Sequence, residues 1–169
     1  YLASIVLSGG LLKRLAGPAQ RPLLSRLASG ELLMAFAHGE RQARYTLHDI
    51  ETTARRDGNG FVLDGRKSVV LHGDSGATII VSARTSGQSR DRNGISLFLV
   101  DRGTAGLGVL GSATIDGLRS AELVLGTVKV GPDALLGPLD GACAAIEHTV
   151  DAAIAAVCAE AVGIMGVLI

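Results

Sequence analysis

Gly73-Asp74-Ser75-Gly76 is the tetrapeptide that surrounds the nucleophile of chymotrypsin-type serine hydrolases. A serine oxygen attacks a carbonyl there only when an imidazole takes its proton and a buried aspartate orients that imidazole. The chain offers His38, His48, His72 and His148, but no Ala-Ala-His-Cys-like segment precedes the serine. Gly, Asp and Ser are also the ordinary residues of tight turns, so Ser75 is expected in a turn between two strand-like runs, and serine hydrolysis is the weakest of three functional readings. Gly106-Leu107-Gly108-Val109-Leu110-Gly111 satisfies GxGxxG, whose glycines let a strand-to-helix turn approach a pyrophosphate. Ser112–Arg119 holds Asp116-Gly117 and no helical apolar stripe, so the helix N-terminus that would bind the phosphate is missing and a flexible β connection is expected. None of the four histidines has another His or Cys three or four residues away, and no metal site is predicted. Glu31, Glu40 and Asp49 are carboxylates available for acid–base work, although their spacing shows no pairing and most carboxylates are solvated.

The chain has 169 residues, about one domain's length, with sixteen basic against sixteen acidic side chains. A net charge of zero argues against a broad nucleic-acid-binding field, and 3% aromatics with no Trp gives little for bases to stack on. Hydrophobic residues at 47% must therefore build the core from Ala, Val, Leu and Ile. Cys143 and Cys158 lie too far apart along one helical segment to bond each other, which fits a reducing cytoplasm. With Tyr1 at one end and Ile169 inside an apolar run at the other, the sequence is expected to be a piece of a longer protein.

Residues 1–30 carry apolar positions at helical spacing, interrupted by Gly17-Pro18 and Pro22, and predict two short helices. From Leu32 the pattern turns to short β-rich runs at 32–37, 51–56, 61–71, 78–84, 95–100, 121–125 and 127–130, an antiparallel β domain. Asp57-Gly58-Asn59-Gly60 is a strong hairpin signal, and residues 86–93 should form an exposed loop. After Gly137-Pro138, Ile146, Val150, Ala153, Val157, Ala161, Ile164 and Leu168 recur at three and four residues and mark one long helix. Within 152–169 only Glu160 is charged, so a membrane span has to be weighed; Glu147, His148 and Asp151 just upstream and the many small residues favour a helix buried among other helices.

In this order the segments resemble the acyl-CoA dehydrogenase family over nearly the whole length. Ser29-Gly30-Glu31-Leu32-Leu33-Met34-Ala35-Phe36-Ala37 is similar to that family's entry into its middle β domain, and Thr52-Thr53-Ala54 with residues 57–67 to its hairpin and following strand. Ala77–Arg84, Gly94–Val100, Gly117-Leu118-Arg119, Val128-Lys129-Val130 and Leu135-Leu136-Gly137 continue the likeness. The resemblance implies an α+β fold: a family-type antiparallel β-barrel or sandwich at residues 31–137, preceded by the end of an N-terminal helical domain at 1–30 and followed by the first helix of a C-terminal helical domain at 138–169.

It also implies FAD-dependent α,β-dehydrogenation of an acyl-CoA thioester, in which a carboxylate takes the α-proton and the flavin the β-hydride. In the family that carboxylate belongs to the C-terminal helical domain, so no residue here is expected to be the base and the piece alone should be inactive. Two family segments contact the flavin. The first, usually aromatic-x-x-Thr-Glu-Pro-x-Ala-Gly-Ser, is Phe36-Ala37-His38-Gly39-Glu40-Arg41-Gln42-Ala43-Arg44-Tyr45, with Gly39 in place of the Thr and Tyr45 in place of the Ser. The second, usually Lys-x-Trp-Ile-Thr-Asn-Gly, is Lys67-Ser68-Val69-Val70-Leu71-His72-Gly73, without the Trp and the Thr. Phe36, Ala37, His38, Gly39, Val69, Val70 and Leu71 are the implied FAD contacts and Tyr45 the implied substrate contact, with backbone amides serving where side chains have changed. These departures are similar to the smaller subunit of heteromeric members such as pimeloyl-CoA dehydrogenase-like enzymes. The implied assembly is a homotetramer or a heterotetramer with a second dehydrogenase-like chain, without nucleic acid or membrane. A non-catalytic structural subunit is the alternative.

Overall fold

The computed structural model describes residues 1–168; Ile169, the end of the apolar run read above, lies outside the described residues. A π-helical segment, Leu2–Ser8, runs directly into α1 (Gly9–Leu15), and Pro22 opens α2 (Pro22–Ala28). Proline suits that first helical position because the N–H it lacks would have no partner there. Eight strands follow: β1 (Met34–Ala37), β2 (Thr53–Asp57), β3 (Gly60–Leu71), β4 (Thr78–Arg84), β5 (Ile95–Asp101), β6 (Leu107–Ala113), β7 (Arg119–Val130) and β8 (Leu135–Leu136). The chain then enters α3 (Cys143–Leu168).

The strands form one sheet in the order β6-β7-β3-β2-β4-β5-β8, with β1 added beside β4. It is mixed rather than wholly antiparallel: β1 runs parallel to β4, Met34 opposite Thr78 and Ala37 opposite Val81. The β2-β3 hairpin and the loops on either side of it carry the chain from β1 round to β4 in the same direction, something the alternation of side chains along a strand cannot reveal. Between β2 and β4 a single parallel pair, Thr53 with Arg84, joins two halves of the sheet. Both halves supply one core: Phe61, Leu63, Val70, Leu123 and Val128 from one side, and Ala35, Ala37, Ile79, Val81 and Phe98 from the other. Phe61 and Phe98 meet at 4.9 Å.

A second core lies between the β1-β4-β5-β8 half and the helices, where Leu11, Leu12, Leu27 and Ile146 pack on Met34, Phe36, Ile80 and Leu97. Strand β4 is therefore covered on both faces, with Ile79, Val81 and Ala83 in one core and Ile80 in the other. The hairpin forms where expected, with Asp57 opposite Gly60 and Gly58 at φ +58°. The two runs at 121–125 and 127–130 are one strand, β7, irregular at Thr127 (φ +55°). Of α3 only Cys143, Ile146, Thr149 and Ala153 are buried, while Ile154, Val162, Ile164 and Met165 are exposed. Burial among helices is thus met only in its first half, and the helix remains long and apolar enough to cross a membrane by length and composition.

Candidate functional site

Gly106–Gly111 is no phosphate turn. Most of it is β6, an edge strand paired along β7, and no helix follows. Ser75 occupies the turn between β3 and β4, where its hydroxyl donates to Asp74 Oδ1 at 3.1 Å and, among the described residues, no imidazole nitrogen is hydrogen-bonded to it. Both motifs are turn or edge chemistry, and among the described residues no cluster of metal-ligating side chains occurs.

The segments 36–40 and 67–71 come together. Ser68 N–H donates to Gly39 C=O at 2.8 Å, and a Cβ built on Gly39 would lie 3.0 Å from Ser68 O, so the two backbones touch where a side chain would be crowded. Gly39 is exposed, and among the described residues no acceptor meets its N–H. Beside it β3 bulges: its register against β7 shifts between Lys67 and Val70, and Val69 is forced to φ +53°. A β-branched residue in that left-handed region is strained. Val69 is 68% exposed, whereas Val70 on the next position is buried in the first core.

Beneath this edge sits a buried ion pair that the spacing of carboxylates did not disclose. Lys67 Nζ, fully buried, donates to Glu40 Oε1 at 2.6 Å, to Ser82 Oγ at 3.0 Å and to His38 O at 3.3 Å. Glu40 also accepts the N–H of Thr52 at 3.1 Å and of Glu51 at 2.8 Å, and the Gln42 amide at 2.7 Å. Burial pulls the Lys67 ammonium down to about 8, held up from falling further by Glu40. Burial works to raise the Glu40 carboxyl, but the Lys67 charge and the donated hydrogen bonds outweigh it and bring the value to about 2. His38 Nδ1 lies 3.0 Å from Ser82 Oγ, and its ring stacks on Phe36 at 5.2 Å. Burial, and then the Lys67 charge, lowers that imidazole to about 3, so His38 is neutral at pH 7.

Two loops flank this edge and are tied by Arg84. Its guanidinium donates to Asp91 O at 2.8 Å, Asn93 O at 2.7 Å, His48 O at 2.8 Å and Ser89 O at 2.6 Å, with a longer contact to Ile50 O. Arg90 adds a bond to Asp49 at 3.0 Å. The sequence-derived residues divide accordingly. Gly39, which touches Ser68, and Val69 next to Ser68 are exposed, while His38 is half-buried with its ring stacked on Phe36; Ala37 and Val70 point into the first core and can offer only backbone. Leu71 faces a cavity of about 500 Å³ shared with His72, Leu118, Ala156, Val157 and Glu160. Tyr45 stands almost wholly in solvent. Lys67, Ser82 and Arg84 were missed as functional positions, and their one signal was polarity inside otherwise apolar strand runs.

Residues 35–128, more than half of the chain, match the family model described as acyl-CoA dehydrogenase, middle domain. Over 121 residues the chain is 36% identical to cyclohexane-1-carbonyl-CoA dehydrogenase of Geobacter metallireducens, covering 68% of this chain and 30% of that protein. Butyryl-CoA dehydrogenase of Megasphaera elsdenii superposes with a TM-score of 0.84 at 25% identity, over 90% of this chain and 41% of that one. A glutaryl-CoA dehydrogenase of Mycobacterium smegmatis in complex with FADH2 gives 0.81 at 26% identity, over 90% and 39%. The chain spans less than half the length of the proteins it matches.

Proposed function

This chain belongs to the acyl-CoA dehydrogenase family, with the α+β fold of its middle domain, and from that premise we propose that it forms the flavin-facing part of an FAD-dependent oxidoreductase that desaturates an acyl-CoA thioester between its α and β carbons. The observation that carries the reading is the meeting of Gly39 with Ser68 and Val69: an open backbone donor beside a strained, outward-facing bulge.

A bound flavin would supply the acceptor for the β-hydride. The residues present fit its polar edge through backbone rather than side chain, since Gly39 offers an unpaired N–H and no bulk. Val69 offers an apolar surface that excludes water, which protects a reduced cofactor from oxidation. Ala37 and Val70 anchor the two backbones in the core on either side. The base that takes the α-proton is assigned to no residue of this chain, and we expect residues 1–169 alone to be inactive.

The same reading divides the chain into the end of one helical domain at 1–30, the β domain at 31–137 and the start of a second helical domain at 138–169. It places the protein in the cytoplasm, in a homotetramer or with a second dehydrogenase-like chain, acting in acyl-CoA breakdown. Free Cys143 and Cys158 support the compartment. The second reading, a structural subunit without flavin, draws on Gly39 and Val69, which bring neither a hydroxyl nor an aromatic ring to the edge. Purified full-length protein decides between them. A visible flavin band, or stoichiometric uptake of added FAD, is the expected result; a colourless protein that takes up no FAD overturns the flavoenzyme reading and leaves the structural one.

A further inference from the structure

We propose that Lys67, Glu40 and Ser82 are positioning residues for the flavin edge: a buried polar strut that sets where the 38–40 backbone, and with it the Gly39 N–H, is presented. The inference rests on the flavin reading above and adds to it three residues that would not themselves touch the cofactor.

The hydrogen-bond inventory of the strut is complete. An ammonium has three protons, and Lys67 directs them at Glu40, Ser82 and the His38 carbonyl. A carboxylate has about four acceptor positions, and Glu40 fills them with Lys67, Thr52 N–H, Glu51 N–H and Gln42. Ser82 passes the connection to His38 Nδ1. The groups joined come from β3, β4, the end of β1 and the start of β2, so one buried cluster fixes four elements relative to each other. A saturated network in a low-dielectric interior has one good geometry and no near alternatives.

Stability is a poor account of such a pair, because well-packed apolar residues of the same volume commonly do as well or better than a buried ion pair. An apolar pair would, however, leave the His38 carbonyl and the Glu51 and Thr52 N–H groups without partners, and the 38–40 strap would be free to shift. Gly39 has no side chain to pack, and among the described residues its own backbone makes one hydrogen bond, its carbonyl accepting from Ser68 N–H. The strut sits directly behind the exposed donor and supplies a further restraint.

The test uses full-length protein carrying Lys67→Met and, as a gentler change, Ser82→Ala, which keeps the Lys67–Glu40 ion pair and removes the hydroxyl that accepts from Lys67 and bonds His38 Nδ1. The readouts are FAD affinity, by titration at a temperature where each variant is folded, and the visible circular dichroism of bound flavin, which reports the geometry around the ring. Lys67→Met should weaken FAD by about tenfold or more, the loss of one to two hydrogen bonds' worth of orientation. Ser82→Ala should weaken it less, and both should alter the visible dichroism. If the wild type binds flavin and both folded variants bind it equally tightly with unchanged dichroism, whatever happens to their melting temperatures, the strut is merely structural and this inference is overturned. If the wild type binds no flavin, the reading beneath it falls as well.

Discussion

Replacing Arg84 by Lys keeps the charge and should still cost the protein a large part of its stability. The guanidinium reaches carbonyls on two separate loops, His48 and Ile50 on one and Ser89, Asp91 and Asn93 on the other, and four of the five contacts are 2.6–2.8 Å. A planar fork with five N–H groups can do this; an ammonium with three protons around one nitrogen cannot span both loops. At least two of the carbonyls lose their donor. Hydrogen bonds to a charged group are worth ~1.5–3 kcal/mol each, and Arg84 is 7% exposed, so water only partly replaces them. A loss of roughly 2–5 kcal/mol follows, against a total stability of about 5–15 kcal/mol for a domain. Urea unfolding gives the magnitude, and amide hydrogen exchange gives the place: protection should fall first at 46–50 and 86–93. A variant within about 1 kcal/mol of wild type, or one whose protection falls evenly across the sheet, would refute the argument that one side chain joins these loops.

Three further outcomes follow from the same geometry. Glu40 has its proton affinity lowered on folding, from 4.5 to about 2, so the stability it confers is present above the unfolded value and is lost as pH falls through that window; the unfolding free energy should drop by roughly 3 kcal/mol between pH 5 and 2, and Glu40→Gln should flatten the drop while lowering stability at pH 7. Val69→Gly removes a β-branched side chain from φ +53° at an exposed position and should raise stability by about 1 kcal/mol, read as a higher urea midpoint; a fall instead would mean that Val69 is not strained. Ser75→Ala should leave folding and any dehydrogenase activity unchanged, and a fluorophosphonate probe should not label Ser75 in the wild type; labelling would restore the hydrolase reading.

The β domain was legible because its strands differ from their connections in ways that local chemistry dictates. Asp57-Gly58-Asn59-Gly60 turns through the left-handed φ of +58° at Gly58, and Gly60 lets β3 pass β7 where a Cβ would fall 2.2 Å from the Val130 carbonyl. The run Thr78–Arg84 forms β4 with those bounds. What alternation could not give was direction: the β domain reads as antiparallel from its pattern, yet β1 runs parallel to β4. Nor could it give β6, whose two glycines, with Gly106 just before it, read as a flexible connection but which is paired with β7 at every position from Leu107 to Ala113. An edge strand needs only one partner, and glycine's cost in a strand is met by the ladder of its neighbour.

The site divides along the same line. Segments 36–40 and 67–71 were readable as a pair only through family resemblance, because their contact joins positions nearly thirty residues apart. Their support was not readable at all. In a strand covered on both faces, as β4 is, polar residues such as Ser82 and Arg84 stand out from the run but give no hint of their partners, which lie on loops and on β3. Burial without solvent makes such groups demand partners, and Ser82, Arg84 and Lys67 are among the places where this fold spends polarity inside its core. Those places lie around the 38–40 backbone and the loops beside it rather than at the center of either apolar cluster, which is where a fold would put them if their work were to hold a surface still.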